Sequence, residues 1–132
     1  MVTEQHDQCC FCDIDSETIW LETESGRAVW DGFPISKGHT LVVPKFHIPS
    51  FHDLDSETQA ALWELVGEVR NRLKEMYQPD AFNIGLNDGE AAGQTVMHAH
   101  IHVIPRWKGD VADPRGGVRW IIPEKARYWG AE

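Results

Sequence analysis

The sequence predicts an α+β fold in which one long helix packs on an antiparallel sheet of about five strands. Three short apolar segments precede a single long stretch with helical periodicity, and two further apolar segments follow it. Strands grouped on either side of one helix are typical of an antiparallel sheet. The length of 132 residues fits one domain, and we predict a single domain over residues 1–132.

The part before the helix begins with a polar start and a cysteine-rich turn. We expect residues 1–8 to be flexible and residues 9–15 to form the turn. Ser25-Gly26 is a turn signal between two apolar runs, and Pro44 ends a third because proline cannot donate to a sheet ladder. The three predicted strands are 18–22, 27–30 and 39–43.

The long helix is predicted from about Ser56 to Tyr77. Apolar residues recur there at spacings of three and four, which places them on one face that packs on the sheet. Asp55 or Ser56 can cap the N-terminus, with Gln59 placed to complete a capping box from Ser56. The apolar face consists of Leu62, Leu65, Val66, Val69, Leu73 and Met76.

Two strands and a tail follow the helix. The first strand is predicted over 81–87 and the second over 96–104, which Pro105 ends. Residues 106–132 are predicted to form a C-terminal tail that is rich in glycine and proline and turns apolar at 118–122. These two strands complete a sheet of five.

The overall charge excludes several classes of partner. The formal net charge is −9, and nucleic-acid polymers require a basic footprint, so we expect no such partner. No apolar run approaches the ~20 residues that span a bilayer, so we expect no membrane partner. The polar, acidic start lacks the features of a secretory signal, which predicts a cytoplasmic location.

Positive charge is concentrated in the predicted tail. Residues 106–132 carry six basic and four acidic side chains, a net charge of +2, which leaves −11 on the rest of the chain. Two interpretations remain open. The tail either neutralises a phosphate chain or is an ordinary solvated segment.

The most informative segment runs from His98 to His102, because alternate residues of a strand share one face. Its three histidines therefore point the same way, whereas Met97, Ala99, Ile101 and Val103 point toward the helix. Three imidazoles on one face suit two chemistries. One is a three-histidine zinc site with an open position, and the other is a histidine nucleophile flanked by two groups that bind the reacting group.

The loop before the histidines supplies groups that bind anions. Gly93 allows a ligand to approach the backbone closely. Asn87, Thr95 and loop N–H groups offer hydrogen bonds to phosphate or sugar oxygens. These groups favour a phosphate pocket over a bare metal site.

The segment from Gly93 to Arg106, which contains the three histidines, resembles the signature of the histidine triad family of nucleotide hydrolases and transferases. Residues 38–47 are similar to that family's middle strand, and residues 83–89 to its penultimate strand and loop. The tail segment 113–125 resembles a bacterial subgroup described as diadenosine-tetraphosphate hydrolase-like. The resemblance implies the same α+β fold, a homodimer and no organic cofactor.

The resemblance also implies roles for individual residues. His100 is the nucleophile that attacks the α-phosphorus and forms a nucleotidyl-histidine, while His98 and His102 flank the phosphoryl group. His102 is the candidate to stabilise its charge or to protonate the leaving group. Asp31 holds the ribose hydroxyls of the nucleotide, for which a purine is favoured. The other implied substrate-binding residues are Asn87, Gly93, Gln94 and Thr95.

Three cysteines, Cys9, Cys10 and Cys12, lie close together near the N-terminus. The two-residue gap between Cys9 and Cys12 occurs in zinc knuckles, and free buried thiols are the alternative. Some histidine triad proteins complete a structural zinc site with two histidines. That resemblance implies Cys9, Cys12, His47 and His98 as ligands here.

Four functional hypotheses follow. The preferred one is hydrolysis of a dinucleoside polyphosphate such as diadenosine tetraphosphate, and the alternative is a nucleoside phosphoramidase that cleaves a P–N bond with the same histidines. A zinc hydratase built on three histidines and a non-catalytic nucleotide-binding protein are the remaining two.

Overall fold

The computed structural model describes residues 9–130, so the predicted flexible segment 1–8 lies outside the described residues. Five antiparallel strands form one sheet in the order β1-β2-β3-β5-β4. A long helix, α1 (Ser56–Tyr77), lies between the third and fourth strands along the chain. The predicted α+β class is confirmed. The strands are β1 (Ile19–Glu22), β2 (Gly26–Trp30), β3 (Thr40–Pro44), β4 (Ala81–Gly85) and β5 (Ile101–Arg106).

Helix α1 has the predicted bounds, but the predicted capping box is absent from its N-terminus. The Asp55 carboxylate accepts a hydrogen bond from the Thr58 N–H at 2.8 Å, so Asp55 is the N-cap. Gln59 donates its side-chain amide to the Leu54 carbonyl at 2.9 Å. Because that amide is used there, the capping box expected from Ser56 does not form.

The core lies between α1 and one face of the sheet. Five of the six residues predicted on the apolar helix face are buried, whereas Met76 in the last turn is exposed. Gly26 allows the helix to approach β2, because a Cβ there would lie 2.5 Å from Leu62 Cδ2 and 2.8 Å from the Val43 carbonyl oxygen. The sheet contributes Ala28, Val42, Ile101 and Val103 to this core, and Ala99 of the segment before β5 joins them.

The last strand begins later and ends later than predicted. β5 starts at Ile101, and residues 96–100 are irregular, so Met97 is exposed rather than packed under the helix. Pro105 lies inside β5 instead of ending it. β3 pairs with β5 only as far as Val103, so the missing N–H of Pro105 interrupts no ladder bond on that side.

We call the sheet surface opposite α1 the histidine face. It carries Val29, Leu41 and Val43 from β2 and β3, and His102 from β5, which pairs with Leu41. Phe11 and Ile14 of the N-terminal segment pack on its β2–β3 side. No helix among residues 9–130 is long and apolar enough to cross a membrane.

The predicted tail has a defined structure where it is described. Arg106 belongs to β5, and residues 107–130 include a 3-10 helix, Gly117–Ile121, followed by a short helix α2 (Pro123–Ala126). The tail therefore lies beside the β4–β5 side of the sheet as a folded segment, in contact with Asn83 of β4 through Gly117.

Candidate active site

His100 lies where the irregular segment 96–100 meets β5, and it is partly buried. Its Nδ1–H donates to the backbone carbonyl of His98 at 2.9 Å. Because a carbonyl oxygen can only accept, the proton sits on Nδ1 and the lone pair remains on Nε2. This is the tautomer that a histidine nucleophile needs.

His102 is held by a second histidine that the sequence analysis left without a role. The Ile35 N–H donates to His39 Nδ1 at 3.2 Å, so the proton of His39 is on Nε2. That Nε2–H lies 2.9 Å from His102 Nδ1 and donates to it. The proton of His102 is therefore on Nε2, the nitrogen left to donate to a bound group.

Both of these histidines are neutral near pH 7. Burial lowers the pKa of His102 to about 4, assisted by the neighbouring His100 and His39 rings and opposed by the Asp31 carboxylate. Burial also lowers the pKa of His39, and Asp31 again opposes the shift. A neutral His102 donates a hydrogen bond through one nitrogen only. Its tautomer therefore decides which nitrogen can donate to a bound group.

Asp31 lies directly after β2, beside this pair. Its Oδ2 is 3.2 Å from His39 Nε2, and its Oδ1 accepts from the Phe33 N–H at 2.8 Å. Each carboxylate oxygen has further accepting capacity, so a diol can still donate to Asp31. The structure thus brings Asp31 and His102 together, as the predicted roles require.

The ring of His98 faces away from the reacting side. It is fully buried, and its Nε2–H donates to the Pro44 carbonyl at 2.9 Å. Its Nδ1 lies 3.4 Å from Cys9 Sγ and 3.5 Å from Cys12 Sγ. The backbone carbonyl of His98 therefore contacts His100, while its ring belongs to a separate cluster.

The donor atoms of Cys9, Cys12, His47 and His98 all lie within 4.8 Å of one another. His47 Nδ1 is 3.2 Å from Cys12 Sγ, which closes the set. Two thiolates and two imidazoles are a donor set that suits tetrahedral zinc, and the Pro44 carbonyl supplies the outer hydrogen bond that orients a histidine ligand. The four predicted ligands therefore fit a structural zinc ion.

The thiol chemistry agrees with a site that releases protons when a metal binds. Burial is the main cause that raises the pKa of Cys12 to about 11, and the interaction with Cys9 contributes to the same increase. A metal ion would replace the thiol protons in this cluster. Cys10 is exposed and lies outside it.

The hypothesis of a zinc site made of three triad histidines is wrong. Among residues 9–130, the groups of possible metal ligands are the cysteine–histidine set and the set Asp31, His39 and His102. Neither group combines His98, His100 and His102. The reason is the His98 ring, which is turned into the cysteine cluster instead of toward His100.

In the loop before the histidines, the side chain of Gln94 forms its hydrogen bonds within the protein. Gln94 is only 3% exposed, and its amide oxygen accepts from the Gly89 N–H at 2.8 Å. Its amide nitrogen donates to the carbonyls of Pro49 and Val96 at 2.8 and 3.0 Å. The side-chain amide thus holds the loop, and the contact of Gln94 with substrate stays a prediction.

The other predicted loop residues remain available on the surface. Gly93 has φ +101°, a conformation that favours glycine, and a Cβ there would lie 3.8 Å from Asn87 Nδ2. Asn87 and Thr95 are both exposed. The structure therefore places Asn87 and Gly93 side by side.

Two arginines of the tail, Arg115 and Arg119, are bonded within the tail. Arg115 forms a two-point ion pair with Asp113 at 3.1 and 3.0 Å and lies 4.5 Å from the ring centroid of Trp129. Arg119 donates to the carbonyls of Ala126 and Lys125 at 2.8 and 2.7 Å. These contacts stabilise the tail, so the basic composition alone is no measure of phosphate binding.

Two site residues were missed by the sequence analysis. His39 directly precedes the buried strand β3, and a histidine at such a place was a usable signal. Phe11 lies between the two ligand cysteines, and its ring centroid is 5.0 Å from that of His100. Nothing in the local sequence indicates that Phe11 reaches the reacting side.

Residues 13–109 match the HIT domain family. Among solved structures, the chain is similar to a zinc-bound histidine triad family protein from Mycobacterium smegmatis, with a TM-score of 0.74 and 36% sequence identity. That similarity covers 82% of this chain and 81% of the other.

Several curated relatives carry names of enzymes, and two of them serve as examples. The asymmetrical bis(5'-nucleosyl)-tetraphosphatase of Schizosaccharomyces pombe is 40% identical over 72% of this chain and 52% of its own length. The adenylylsulfatase HINT3 of Arabidopsis thaliana is 37% identical over 82% of this chain and 56% of its own length. The chain thus spans about half of each of these two proteins.

Proposed function

Since this chain belongs to the HIT domain family, we propose that it is a nucleotide hydrolase that attacks an α-phosphorus through His100. The substrate we favour is a dinucleoside polyphosphate, with diadenosine tetraphosphate as the representative. The observation that carries the proposal is the 2.9 Å hydrogen bond from His100 Nδ1 to the His98 carbonyl, which leaves the Nε2 lone pair for the phosphorus.

In the first step, the lone pair of His100 Nε2 forms a bond to the α-phosphorus. The bond from that phosphorus to the bridging oxygen breaks, and the leaving polyphosphate takes its electron pair. The Nε2–H of His102 donates a hydrogen bond to the charge that develops on the phosphoryl or leaving oxygen. The His98 carbonyl accepts from the imidazolium Nδ1–H that forms on His100.

In the second step, a water oxygen attacks the phosphorus and the N–P bond breaks. The electron pair returns to His100 Nε2, a water proton passes to solvent, and the nucleoside monophosphate is released. Asp31 accepts from the ribose hydroxyls of this retained nucleotide. Its base, for which we favour a purine, lies on the apolar surface formed by Phe11 and Ile14 over β2 and β3.

Cys9, Cys12, His47 and His98 would hold a zinc ion, which would tie the N-terminal segment to the sheet when bound. Residues of this segment contact the reacting side, since Phe11 packs near both His98 and His100. We propose a structural role for this site. His98 then serves catalysis through its backbone carbonyl alone.

A polyphosphate substrate is supported by the tetraphosphatase relative rather than by Arg115 and Arg119, which are bonded within the tail. The alternative is a nucleoside phosphoramidase, in which a P–N bond breaks in place of the P–O bond. His100 would act in the same way in both reactions. The leaving group therefore has to be determined by a competition between substrates.

The test supplies diadenosine tetraphosphate and adenosine phosphoramidate together and follows the products by chromatography. We expect AMP and ATP to appear from the tetraphosphate faster than the phosphoramidate disappears, and His100→Asn to abolish both reactions. His52→Asn is the matched control, since His52 is exposed and distant in sequence from the motif. Faster loss of the phosphoramidate would favour the alternative.

Two further outcomes of this test bear on the remaining hypotheses. Activity of His100→Asn equal to that of the wild type would refute the nucleophile. Binding of both nucleotides by the wild type without turnover would support a non-catalytic nucleotide-binding protein.

We also propose a homodimer, because β4 is an edge strand of the sheet and edge strands are commonly covered by another chain. Sedimentation of the purified protein tests this. A monomer at micromolar concentration would refute it. The cytoplasmic location remains a prediction from the sequence.

A further inference from the structure

A groove of about 1370 Å³ lies on the β4–β5 side of the histidine face. Asn83, Ile104 and Arg106 of the sheet line it, and so do the loop residues Ile35, Ser36 and Lys37. The tail also lines it with residues that include Val118, Trp120 and Ile121. The groove exceeds the roughly 300–1,000 Å³ of a typical ligand pocket, so it can hold a nucleoside with several phosphates.

The groove lies beside the proposed catalytic residues. Ile104 follows His102 on the same face of β5, about 7 Å further along the strand. Ile35 lines the groove and donates its N–H to His39, the residue that holds His102. The groove therefore lies next to His102 along β5.

The groove and Asp31 lie on different sides of His102. Asp31 ends β2, and the apolar surface of Phe11 and Ile14 lies over β2 and β3. The groove lies over β5 and β4, which is the opposite edge of the sheet. A substrate with a nucleoside at each end can thus place one end on each side of the reacting phosphorus.

The lining suits a ligand in which an aromatic ring is joined to an anion. Two tryptophans, Trp107 and Trp120, line the groove together with aliphatic side chains. Lys37 and Arg127 also line it, and within the described part of the chain neither makes an ion pair. Arg127 lies 5.7 Å from the ring centroid of Trp120, so a cation and an aromatic ring are adjacent there.

We propose that this groove binds the leaving half of the substrate, which is the nucleoside beyond the scissile bond and the phosphates next to it. The proposal rests on the proposed function, because it assigns the distal half of the same dinucleoside polyphosphate. Trp120 offers a stacking surface for the distal base, and Lys37 and Arg127 attract the distal phosphates.

The test compares the binding of two ligands that share the adenosine and the tetraphosphate but differ in the distal nucleoside. These are diadenosine tetraphosphate and adenosine 5'-tetraphosphate, titrated calorimetrically into His100→Asn so that no turnover occurs. We expect the dinucleotide to bind about tenfold more tightly, as expected for one stacked base. Adding Ile121→Glu should remove this preference, because a carboxylate in place of an apolar lining residue disfavours burial of the distal base in the groove.

Ile122→Glu is the matched control, since Ile122 is in the same tail and exposed but does not line the groove. This variant should keep the tenfold preference. Equal affinity for the two ligands in the parent, or a preference that survives Ile121→Glu, would overturn the proposal. So would a change in association state caused by Ile121→Glu in sedimentation, because the groove would then be an interface between copies of the chain.

Failure of the proposed function looks different in the same experiments. If the wild type leaves diadenosine tetraphosphate intact while the binding preference responds to Ile121→Glu, the reaction is wrong and the groove is right. If the wild type cleaves the dinucleotide and no preference is measured, the reaction stands and the groove assignment fails.

Discussion

His98 and His102 lie two residues before and two residues after His100, yet their surroundings differ completely. The His98 ring is fully buried among Cys9, Cys12 and His47 and donates to a backbone carbonyl. The His102 ring is partly exposed, accepts from His39 and keeps an N–H on the reacting side. Equal spacing around a nucleophile therefore does not produce equal roles.

The difference arises from what covers the histidine face at each side. The cysteine turn and Phe11 lie over the His98 side and exclude solvent from it. On the His102 side, the loop after β2 contributes Asp31 and His39, and an open groove lies over β5 and β4. We propose that the His98 side supplies stability and that the His102 side supplies donors for the reaction. This comparison leads to four predictions.

The largest effect should follow from His98→Asn, because it removes one of the four ligands and leaves a cavity in a fully buried site. We expect the free energy of unfolding to fall by about 3 kcal/mol or more in zinc-containing buffer. Urea unfolding with and without a chelator measures this. The chelator should destabilise the wild type and leave the variant unchanged, and an equal response of both would contradict a zinc site that includes His98.

His102→Asn should show the opposite pattern. We expect kcat for the preferred nucleotide to fall about a hundredfold, because the variant loses the neutral Nε2–H donor at the phosphoryl group. Its urea midpoint at pH 7 should stay near that of the wild type, since the ring is not part of the zinc cluster. A loss of stability as large as that of His98→Asn would show that the two histidines do not differ in the way proposed.

His39 should act on the reaction through His102 without touching the substrate. His39→Leu removes the donor that sets the His102 tautomer, and we expect kcat to fall about tenfold with little change in KM. His39→Gln keeps a side-chain N–H and should recover part of this loss. If the glutamine variant is as slow as the leucine variant at equal stability, then the donor is not what matters.

The smallest effect concerns stability at acidic pH. The pKa of His102 is about 4 in the folded state and ordinary in the unfolded state, so between pH 6.5 and 4 the unfolded state binds more protons. Stability should therefore fall as the pH decreases through this window. Asp31, His39 and His100 are the ionisable groups that face His102.

His102→Asn removes this titration, so its stability should depend less on pH than that of the wild type. Urea unfolding at intervals from pH 7 to pH 4.5 compares the two proteins. Parallel curves would mean that other groups account for the whole dependence, including the proposed zinc ligands, which both proteins retain.

Much of the fold follows from local patterns. The three- and four-residue spacing of Leu62, Leu65 and Val69 predicted α1, and the turn signals predicted the strands before it. Alternation also predicted correctly that Ile101 and Val103 face the helix. It failed for Met97 because the strand begins only at Ile101, and a pattern of alternating residue types cannot indicate where pairing with β3 starts.

The residues of the candidate site were predicted with less success than the fold. The four metal ligands and His100 were identified by resemblance, and the structure brings the ligands together. Gln94 was assigned to the substrate because of the family resemblance. Its amide is satisfied by backbone groups of that loop and of Pro49, which the sequence does not reveal.

By itself the sequence determined the fold class, the helix and the clustering of histidines, because each depends on neighbours along the chain. Only the tertiary structure decided which histidine is buried and which one donates. Cys9 and His98 are 89 residues apart in sequence, and His39 and His102 are 63 apart. Contacts over such separations set burial and tautomer, and local periodicity contains no information about them.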